Sequence, residues 1–312
     1  MKIVVTGAAG FIGANLVHSW AADGHKVVAL FRPGSDPWRL LGAAATQIEA
    51  DLEQRESMTE TLDRVRPDVI VNAAAHGAYA HQQDLSRMLA VNVAAVSHLV
   101  DCALQRECAL LHLGSSSEYG LQDDAPAEHE RVAPNSTYAI TKAAASHLVC
   151  DAVERFGLRA VVLRLYSVYG PWEEPIRLMP VLACYASTGR LPPTLVDPDV
   201  SRDFVHIKDV VSAATAWILN PVAVPEPAIL NIASGVQTSL GELIAVAREA
   251  LGIEEEPQWG TMERRRWDTA QWVGDPTRAK ALVGWEAKVR LREGLIDLTE
   301  FVKAHPDKYH VA

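Results

Sequence analysis

The chain has 312 residues, of which 49% are hydrophobic and 22% charged, and this balance excludes a fibrous or intrinsically disordered protein. Its formal net charge of −10 would repel a polyanion, so nucleic acid is not an expected partner. The amino-terminal sequence MKIVVTGAAG lacks the features of a signal peptide, and the longest uncharged apolar stretch, 210–225, is too short to span a membrane. We therefore expect a cytoplasmic protein without membrane contact.

Short runs rich in Val, Ile and Leu predict strands at 2–6, 26–31, 47–50, 68–75, 110–115 and 160–166. Between them, apolar residues recur at helical spacing over 14–22, 58–65, 88–104 and 138–156. This strict alternation implies right-handed crossovers and a parallel sheet that is covered on both faces. The predicted fold class is α/β, a doubly wound parallel sheet of the Rossmann kind.

The first predicted strand leads directly into the turn TGAAGFIG, in which Gly7, Gly10 and Gly13 are three residues apart. The glycines allow a tight turn, close approach of the backbone to a pyrophosphate, and close packing of helix on strand. Phe11 and Ile12 lie within the turn and are expected to contact the cofactor with the glycines, while the helix that follows supplies hydrogen-bond donors and a positive dipole at its amino end. Glycine-rich turns also occur for geometric reasons alone, but the strand before and the helix after this turn favour a dinucleotide site.

After residue 170 the alternation of predicted strands and helices is interrupted by prolines, at positions 171, 175, 180, 192, 193 and 198. Regular pattern resumes at 204–220 and 229–233, which we interpret as a return to the sheet. We place a dinucleotide-binding domain at 1–170, with the sheet return at 203–234. The remaining residues, 171–202 and 235–312, would form a smaller carboxyl-terminal substrate lobe.

The second predicted strand ends at Phe31, where an acidic residue would normally hold the adenosine ribose, and Arg32 follows it. An arginine at this place can pair with a ribose 2′-phosphate, so we expect NADP(H), with NAD(H) as the alternative cofactor. The other interpretation is a solvent-facing arginine.

Tyr138 and Lys142 form a YxxxK pair on one face of a predicted helix. A nearby ammonium stabilises a phenolate, which would let the tyrosine exchange a proton. Ser115 ends the fifth predicted strand at the edge of the sheet where ligands bind, so its hydroxyl could hold a sugar oxygen beside the tyrosine. A YxxxK sequence alone is common, and its significance here comes from its position downstream of the nucleotide turn.

These motifs together resemble the extended short-chain dehydrogenase/reductase family, which comprises nucleotide-sugar epimerases, dehydratases and reductases, and the resemblance covers nearly the whole chain. Within it, Asp51 and Leu52 match the family's adenine contact. Ala73 and Ala74 lie in an NAAA segment that matches the strand running along the cofactor, and Asn92 matches a helix asparagine. The other matching segments are YAITK, LRLYSVYGP and SRDFVHIKD.

The resemblance implies hydride transfer between a nicotinamide and a carbon of a nucleotide-linked sugar, with Tyr138 as acid/base. Lys142 would tune the tyrosine and hold the nicotinamide ribose. Ser115 matches the family's Ser/Thr, with the register uncertain by one residue. Arg202 matches an arginine that meets the substrate diphosphate, and Arg265 matches a second one, although its two neighbouring arginines could take that role.

Further substrate contacts are expected from His76, Ser116 and Ser167, although a loop histidine is more often structural. The helices at 88–104 and 138–156 carry small and apolar faces, which in relatives form a dimer and could here simply cover the sheet. We expect a homodimer on this basis. Cysteines without CxxC spacing and histidines without ligand spacing predict buried thiols and no metal site.

The serines of the segment GSSSEYG disfavour one of the reactions that the family catalyses, dehydration of the sugar. Family members that dehydrate the sugar carry an acidic pair at the places of Ser116 and Ser117, and a serine cannot replace a carboxylate base. The segment is similar to that of 4-keto-6-deoxyhexose reductases, so we favour reduction of a nucleotide-linked 4-keto hexose with NADPH. The alternative is a nucleotide-sugar 4-epimerase acting on a hexose or uronic acid, because LYSVYGPWEEP is similar to a segment of uronic-acid 4-epimerases. A third hypothesis is a non-catalytic NADP(H) sensor.

Overall fold

The computed structural model describes residues 1–79, 81–189, 194–221, 228–264 and 268–309. Among these residues it contains ten strands, numbered in chain order: β1 (Lys2–Thr6), β2 (Lys26–Phe31), β3 (Thr46–Glu49), β4 (Val69–Asn72), β5 (Ala109–Ser115), β6 (Ala160–Leu165), β7 (Ser167–Tyr169), β8 (Ser201–His206), β9 (Ile229–Ile232) and β10 (Gln237–Ser239). Seven strands form a parallel sheet in the order β3-β2-β1-β4-β5-β6-β9. The order reverses at β1, as it does in a doubly wound Rossmann sheet, so the predicted fold class is confirmed.

The helices are α1 (Phe11–Ala22), α2 (Arg55–Val65), α3 (Leu85–Leu89), α4 (Ala95–Arg106), α5 (Thr137–Phe156), α6 (Leu178–Thr188), α7 (Ile207–Ile218), α8 (Leu240–Leu251), α9 (Thr277–Val283), α10 (Leu291–Ala304) and α11 (Pro306–Tyr309). The predicted helices at 14–22 and 58–65 begin three residues earlier in the structure. The first turn of α2, 55–57, is exposed and polar, so apolar periodicity does not mark it, and the start of α1 follows directly on the glycine turn.

A second, three-stranded sheet has the order β10-β8-β7. The predicted return to the main sheet is therefore wrong for 204–220, since β8 pairs with β7 and β10 and is followed by the covering helix α7. Only β9 rejoins the main sheet, beside β6. The physical reason is that β7 leaves the main sheet directly after β6 and supplies a new edge on which β8 pairs.

In the part of the chain that the structure describes, the buried hydrophobic residues form two clusters. The larger one includes Val4, Ile70, Leu111 and Val162 from central strands of the main sheet, together with side chains from the helices on its faces. The smaller one joins Tyr169 to apolar residues of α6, α8 and α10. Two separate cores support the division into two domains, which stays a prediction.

α3 and α4 are continuous through one π-helical turn, Ala90–Ala94. The combined helix, Leu85–Arg106, is long and apolar enough to cross a membrane by length and composition alone, and half of its apolar window is buried inside the protein. A core helix of a globular protein has the same properties, so this helix is weak evidence for a span. Cytoplasmic location stays a prediction.

Candidate active site

The glycine turn between β1 and α1 is packed against the end of β4. Gly7 has a φ of 63°, and a Cβ on it would lie 2.6 Å from the Ala74 backbone. A Cβ on Gly13 would lie 2.9 Å from Ala8 Cα, so α1 can approach β1 only with glycine there. Gly10 is exposed and caps α1 at its amino end, with Phe11 and Ile12 half-buried behind it. The turn thus offers bare backbone at the positive end of a helix.

The other residues predicted to meet the adenosine lie at the ends of neighbouring strands. β2 ends at the buried Phe31, and Arg32 is exposed directly after it. The next acidic residue, Asp36, is exposed and accepts a hydrogen bond from Trp38 N at 3.0 Å. Asp51 follows β3, is half-buried, and accepts from Glu53 N at 3.0 Å. Phe31 therefore occupies the position of the ribose-binding carboxylate, and a cation follows it directly.

Ser115 ends β5 and begins a 3₁₀ turn, Ser116–Tyr119, at the carboxyl edge of the sheet. Its Oγ lies 2.8 Å from Ser117 Oγ and accepts a hydrogen bond from Ser117 N at 3.2 Å. Glu118 Oε1 in turn accepts from Ser115 N at 2.8 Å. This reciprocal capping holds the serine hydroxyl in one place.

Tyr138 lies in the first turn of α5, which begins at Ser136, whose Oγ accepts from Ala139 N at 3.2 Å. The tyrosine ring is half-buried. Burial and the negative charge of Glu118 raise the pKa of Tyr138 to about 12, although a hydrogen bond with the Ser115 side chain acts in the opposite direction. Without a ligand the phenol is therefore protonated at neutral pH.

Lys142 follows one helical turn later and is only 2% exposed. Its Nζ donates a hydrogen bond to Leu113 O at 2.5 Å. Burial lowers the pKa of Lys142 to about 8, against the opposing effect of Glu118. The predicted residues Ser115, Tyr138 and Lys142 thus converge at the carboxyl end of β5.

A row of polar side chains crosses the central strands beneath this group. Thr6, Asn72 and His112 are paired in register on β1, β4 and β5. Thr6 Oγ1 donates to Asn72 Oδ1 at 2.6 Å, and the Asn72 amide lies 3.0 Å from His112 Nδ1. His112 Nε2 lies 3.4 Å from Lys142 Nζ. Sequence reasoning did not select His112, and the available signal was a histidine within an otherwise apolar strand.

A buried ion pair lies beside the serine turn, Ser115–Tyr119, and includes Glu118 of that turn. Glu118 and Arg164 are fully buried, and their Oε2 and Nε atoms are 2.9 Å apart. The Arg164 guanidinium also lies 4.4 Å from the centre of the Tyr119 ring. Sequence reasoning selected neither Glu118 nor Arg164 as a site residue. The structure makes Glu118 a capping residue whose two oxygens are both engaged.

The residues predicted to contact the substrate lie around the same edge. His76 is half-buried, and its backbone is fixed by Asn92, which accepts from His76 N and donates to His76 O, each at 2.8 Å. Asn92 also donates to Thr141 Oγ1 at 2.9 Å from within the π-helical turn. Ser116 is buried and Ser167 is half-buried at the start of β7.

Of the two arginines predicted to bind the diphosphate, the structure describes only Arg202. Arg202, on β8, donates to Asp268 Oδ1 at 2.6 Å, and its guanidinium lies 5.7 Å from the centre of the Trp272 ring. Arg265 lies outside the described residues. Arg202 is therefore already paired with a carboxylate, and a diphosphate would have to share or displace it.

Arg39 connects the cofactor end to the loop after β7. It lies in a 3₁₀ turn, Trp38–Leu40, and is 8% exposed. Its Nε donates to Trp172 O and its Nη2 to Glu174 Oε2, both at 2.8 Å, while Nη1 lies 3.5 Å from Ala9 O in the glycine turn. Trp172 has the left-handed φ of 65°, so this arginine holds a strained backbone.

A nicotinamide dinucleotide fits the two ends of this site chemically. The exposed Gly10 caps α1. Within the described helix Phe11–Ala22, the first turn contains no acidic residue that would repel an anion, so this helix end can receive a pyrophosphate. At the other end, Tyr138 and Lys142 offer a phenol and an amine. Between them, Ala73 and Ala74 are half-buried at the end of β4 and present small side chains to the same edge.

Comparison with known proteins agrees with this geometry. Residues 3–233 match the model of the NAD dependent epimerase/dehydratase family. The UDP-glucose 4-epimerase of Mycolicibacterium smegmatis is 31% identical over 97% of this chain and 99% of that protein. The dTDP-4-dehydro-6-deoxy-D-allose reductase of Streptomyces bikiniensis is 28% identical over 97% of this chain and 96% of that protein.

One solved structure, MoeE5 in complex with UDP-glucuronic acid and NAD, has 29% sequence identity and a TM-score of 0.82, covering 97% of this chain and 99% of that one. Family, fold and coverage therefore agree along almost the whole length. This chain belongs to the NAD dependent epimerase/dehydratase family.

Proposed function

We propose that the protein reduces the 4-keto group of a nucleotide-linked hexose or 6-deoxyhexose with NADPH. The observation that carries the choice of cofactor is the end of β2, where the exposed Arg32 stands and the nearest following carboxylate, Asp36, already caps a turn. A guanidinium there favours a ribose 2′-phosphate over a free hydroxyl. NADPH is a consumed reductant, so a site that selects it suits net reduction.

The chemistry of the site suits proton donation to a ketone. Bound nicotinamide would supply the hydride. Tyr138, whose pKa is raised to about 12, is protonated at neutral pH and would donate its proton to the oxygen formed at carbon 4. Ser115 would hold that oxygen beside the phenol, because its hydroxyl is fixed by Ser117. Ser116 and Ser117 supply no carboxylate base, which argues against dehydration.

The sugar and its nucleotide would lie between the carboxyl edge of the main sheet and the smaller lobe. We propose His76, Ser116 and Ser167 for the sugar, since they lie in the loop after β4, in the serine turn after β5 and at the start of β7. Arg202 and Arg265 would meet the diphosphate. Asp51, Leu52, Ala73 and Ala74 are proposed for the cofactor.

A second candidate is 4-epimerisation of a nucleotide hexose or uronic acid. It is supported by the relatives, because one is named a UDP-glucose 4-epimerase and another solved chain holds UDP-glucuronic acid with NAD. An epimerase would use the same tyrosine and lysine but would return the hydride to the sugar.

The decisive measurement is stoichiometric. The purified protein is incubated with NADPH or NADH and a panel of UDP- and dTDP-linked 4-keto and 4-hydroxy sugars, and products are quantified. A reductase oxidises one NADPH for each product, whereas an epimerase interconverts two sugars with no net change in cofactor. Tight cofactor binding with no turnover of any sugar would instead favour the sensor hypothesis.

A further inference from the structure

Residues 268–274 form a segment without helix or strand that lies along β8 in the smaller sheet. At the start of β8, Ser201 N donates to Thr269 O at 2.9 Å. The next residue of the strand, Arg202, donates to Asp268 Oδ1 at 2.6 Å. The first part of the segment is therefore attached to β8 at two consecutive residues of the strand.

The middle of the 268–274 segment borders the candidate site. Residues 271–273 line a cavity together with Ser116 and Tyr119 of the serine turn. The centre of the Trp272 ring also lies 5.7 Å from the Arg202 guanidinium. A shift of the segment would therefore change both the space beside the serine turn and the surroundings of the arginine that we propose for the diphosphate.

The end of the segment is held by Asp203, the residue of β8 that follows Arg202. Successive side chains of a strand point to opposite faces, so the Asp203 carboxylate lies on the face away from the arginine, where it is 0% exposed. Its Oδ2 accepts from Gly274 N at 3.1 Å and from Gly235 N at 3.0 Å. Its Oδ1 accepts from Ser234 N at 2.8 Å and from Ser234 Oγ at 2.6 Å. These four hydrogen bonds use the acceptor sites of both oxygens, so Asp203 serves as an anchor and not as a proton carrier.

Steric contact fixes Gly274 from the other side. A Cβ on Gly274 would lie 2.5 Å from the Ala233 Cβ and 2.5 Å from the Tyr166 ring, so only a glycine backbone can pass there. Ala233 directly follows β9, and Tyr166 directly follows β6. The end of the segment is thus held between the main sheet on one side and the Asp203 carboxylate on the other.

We infer that Asp203 is a positioning residue for nucleotide-sugar binding, because its carboxylate holds the 268–274 segment at Gly274 and so keeps Trp272 beside Arg202. The inference rests on the proposed function in one respect, the assignment of Arg202 to the substrate diphosphate. The hydrogen bonds found for Asp203 within the described residues go to Ser234, Gly235 and Gly274. The residue therefore acts on the affinity for the substrate and not on the proton and hydride transfers.

The first test measures the anchoring and needs no ligand. Hydrogen–deuterium exchange of the free protein is followed by mass spectrometry in peptides that span 268–275. Asp203→Ala should speed exchange there by about 10-fold or more, because a charge-assisted hydrogen bond to Gly274 N is lost. Asp203→Asn keeps one acceptor oxygen and should show a smaller increase.

The matched control is Asp209→Ala. Asp209, on α7, is another buried aspartate, 4% exposed, and accepts from Lys288 N and Val289 N at 3.0 Å each. Its loss should leave exchange over 268–275 at the wild-type rate. Wild-type exchange of this segment in both Asp203 variants would overturn the inference, whatever sugar reaction the protein catalyses.

The second test measures the consequence for the substrate. With the nucleotide sugar that the wild type converts, Asp203→Ala should raise KM by about 10-fold, because Arg202 loses its fixed surroundings, and leave kcat within about twofold. The dissociation constant for NADPH should not change.

Gly274→Ala displaces the same segment by a steric route and leaves the Asp203 carboxylate in place, so it should raise KM in the same way. Asp209→Ala should keep the wild-type KM even where it lowers stability. A wild-type KM in Asp203→Ala and Gly274→Ala, or a fall in kcat at constant KM, would overturn the role in binding. A wild-type protein that converts no nucleotide sugar would instead overturn the proposed function, and the exchange experiment would still decide whether Asp203 holds the segment.

Discussion

Tyr138 and Lys142 are both shifted toward their uncharged forms, since burial raises the pKa of one to about 12 and lowers that of the other to about 8. At neutral pH these shifts leave a neutral phenol beside a lysine that is still mostly an ammonium, since its pKa of about 8 lies above 7. The phenol can therefore act as a proton donor at neutral pH.

Replacing the tyrosine hydroxyl tests its role directly. Tyr138→Phe should lower kcat by about 100- to 10,000-fold, because that is the usual contribution of one acid/base group. The dissociation constant for NADPH, measured by fluorescence titration, should stay within about twofold of the wild-type value. Tyr185→Phe, in which the lost hydroxyl donates to Glu255 in the smaller lobe, is the control. Near-normal turnover by Tyr138→Phe would remove the phenol from the chemistry.

The proposed preference for NADP(H) depends on a single exposed side chain, that of Arg32. Arg32→Ala should weaken NADP(H) binding by about 10- to 100-fold, the usual cost of one charge-assisted hydrogen bond, and leave NAD(H) binding unchanged. Calorimetric titration with both cofactors measures this. Arg155→Ala, at an exposed arginine near the far end of α5, serves as the control. Equal losses for both cofactors in Arg32→Ala would mean that the guanidinium does not recognise a 2′-phosphate.

At the scale of elements, the serine turn is held by the buried pair of Glu118 and Arg164. Arg164→Met should lower the free energy of unfolding by about 3–5 kcal/mol, because the mutation leaves Glu118 buried without its partner. Arg155→Met breaks an exposed pair with Asp151 and should cost at most about 1 kcal/mol. Urea unfolding of both variants measures the difference. A loss in Arg164→Met no larger than that in Arg155→Met would show that the buried pair does not stabilise the turn.

Glu173, in the loop that leads to α6, gives a pH-dependent prediction. The residue is 5% exposed, and burial raises its pKa from 4.5 to about 8 although Arg177 lies 3.7 Å away and lowers it. A pKa raised on folding means that its stabilising contribution is complete below pH 4.5 and is lost as the pH rises to 8. Each pH unit in that window should cost up to about 1.4 kcal/mol.

The matching variant is Glu173→Gln, which cannot ionise. Its free energy of unfolding should vary less between pH 5 and 8 than that of the wild type, as measured by urea unfolding at several pH values. Glu300→Gln, at an exposed position of α10, should keep the wild-type slope. If Glu173→Gln also keeps that slope, the carboxyl group is ionised in the folded protein.

Local sequence spacing was enough to predict most of the elements that build the site. The glycine turn and the YxxxK pair are short motifs, so their geometry follows from the helix and strand that contain them. His112 with Lys142, and Glu118 with Arg164, are 30 and 46 positions apart and meet only through strand register. The sequence also did not predict which sheet contains β8, because its partners β7 and β10 have three residues each and are too short to show a periodic pattern.

At the scale of the whole molecule, the predicted homodimer has a surface that can be tested. Leu85 and Leu89 of α3 are 50% and 48% exposed, and α3 packs on α5. Leu89→Glu should place a charge in the predicted interface and shift the protein from dimer to monomer in analytical ultracentrifugation. Leu219→Glu, at a 60% exposed leucine after α7, should not. A wild-type monomer, or a Leu89→Glu dimer of unchanged stability, would contradict this assembly.

The position of Arg39 has a consequence for how ligands enter. Its guanidinium donates hydrogen bonds to the carbonyl of Trp172 and the carboxylate of Glu174, and it also lies beside the Ala9 carbonyl in the glycine turn. Moving the lobe outward on this side would separate the buried Arg39 guanidinium from its hydrogen-bond partners, which is unfavourable because a buried charge would lose them. We therefore expect this flank to stay fixed, and any opening of the smaller lobe to take place at the opposite rim of the site.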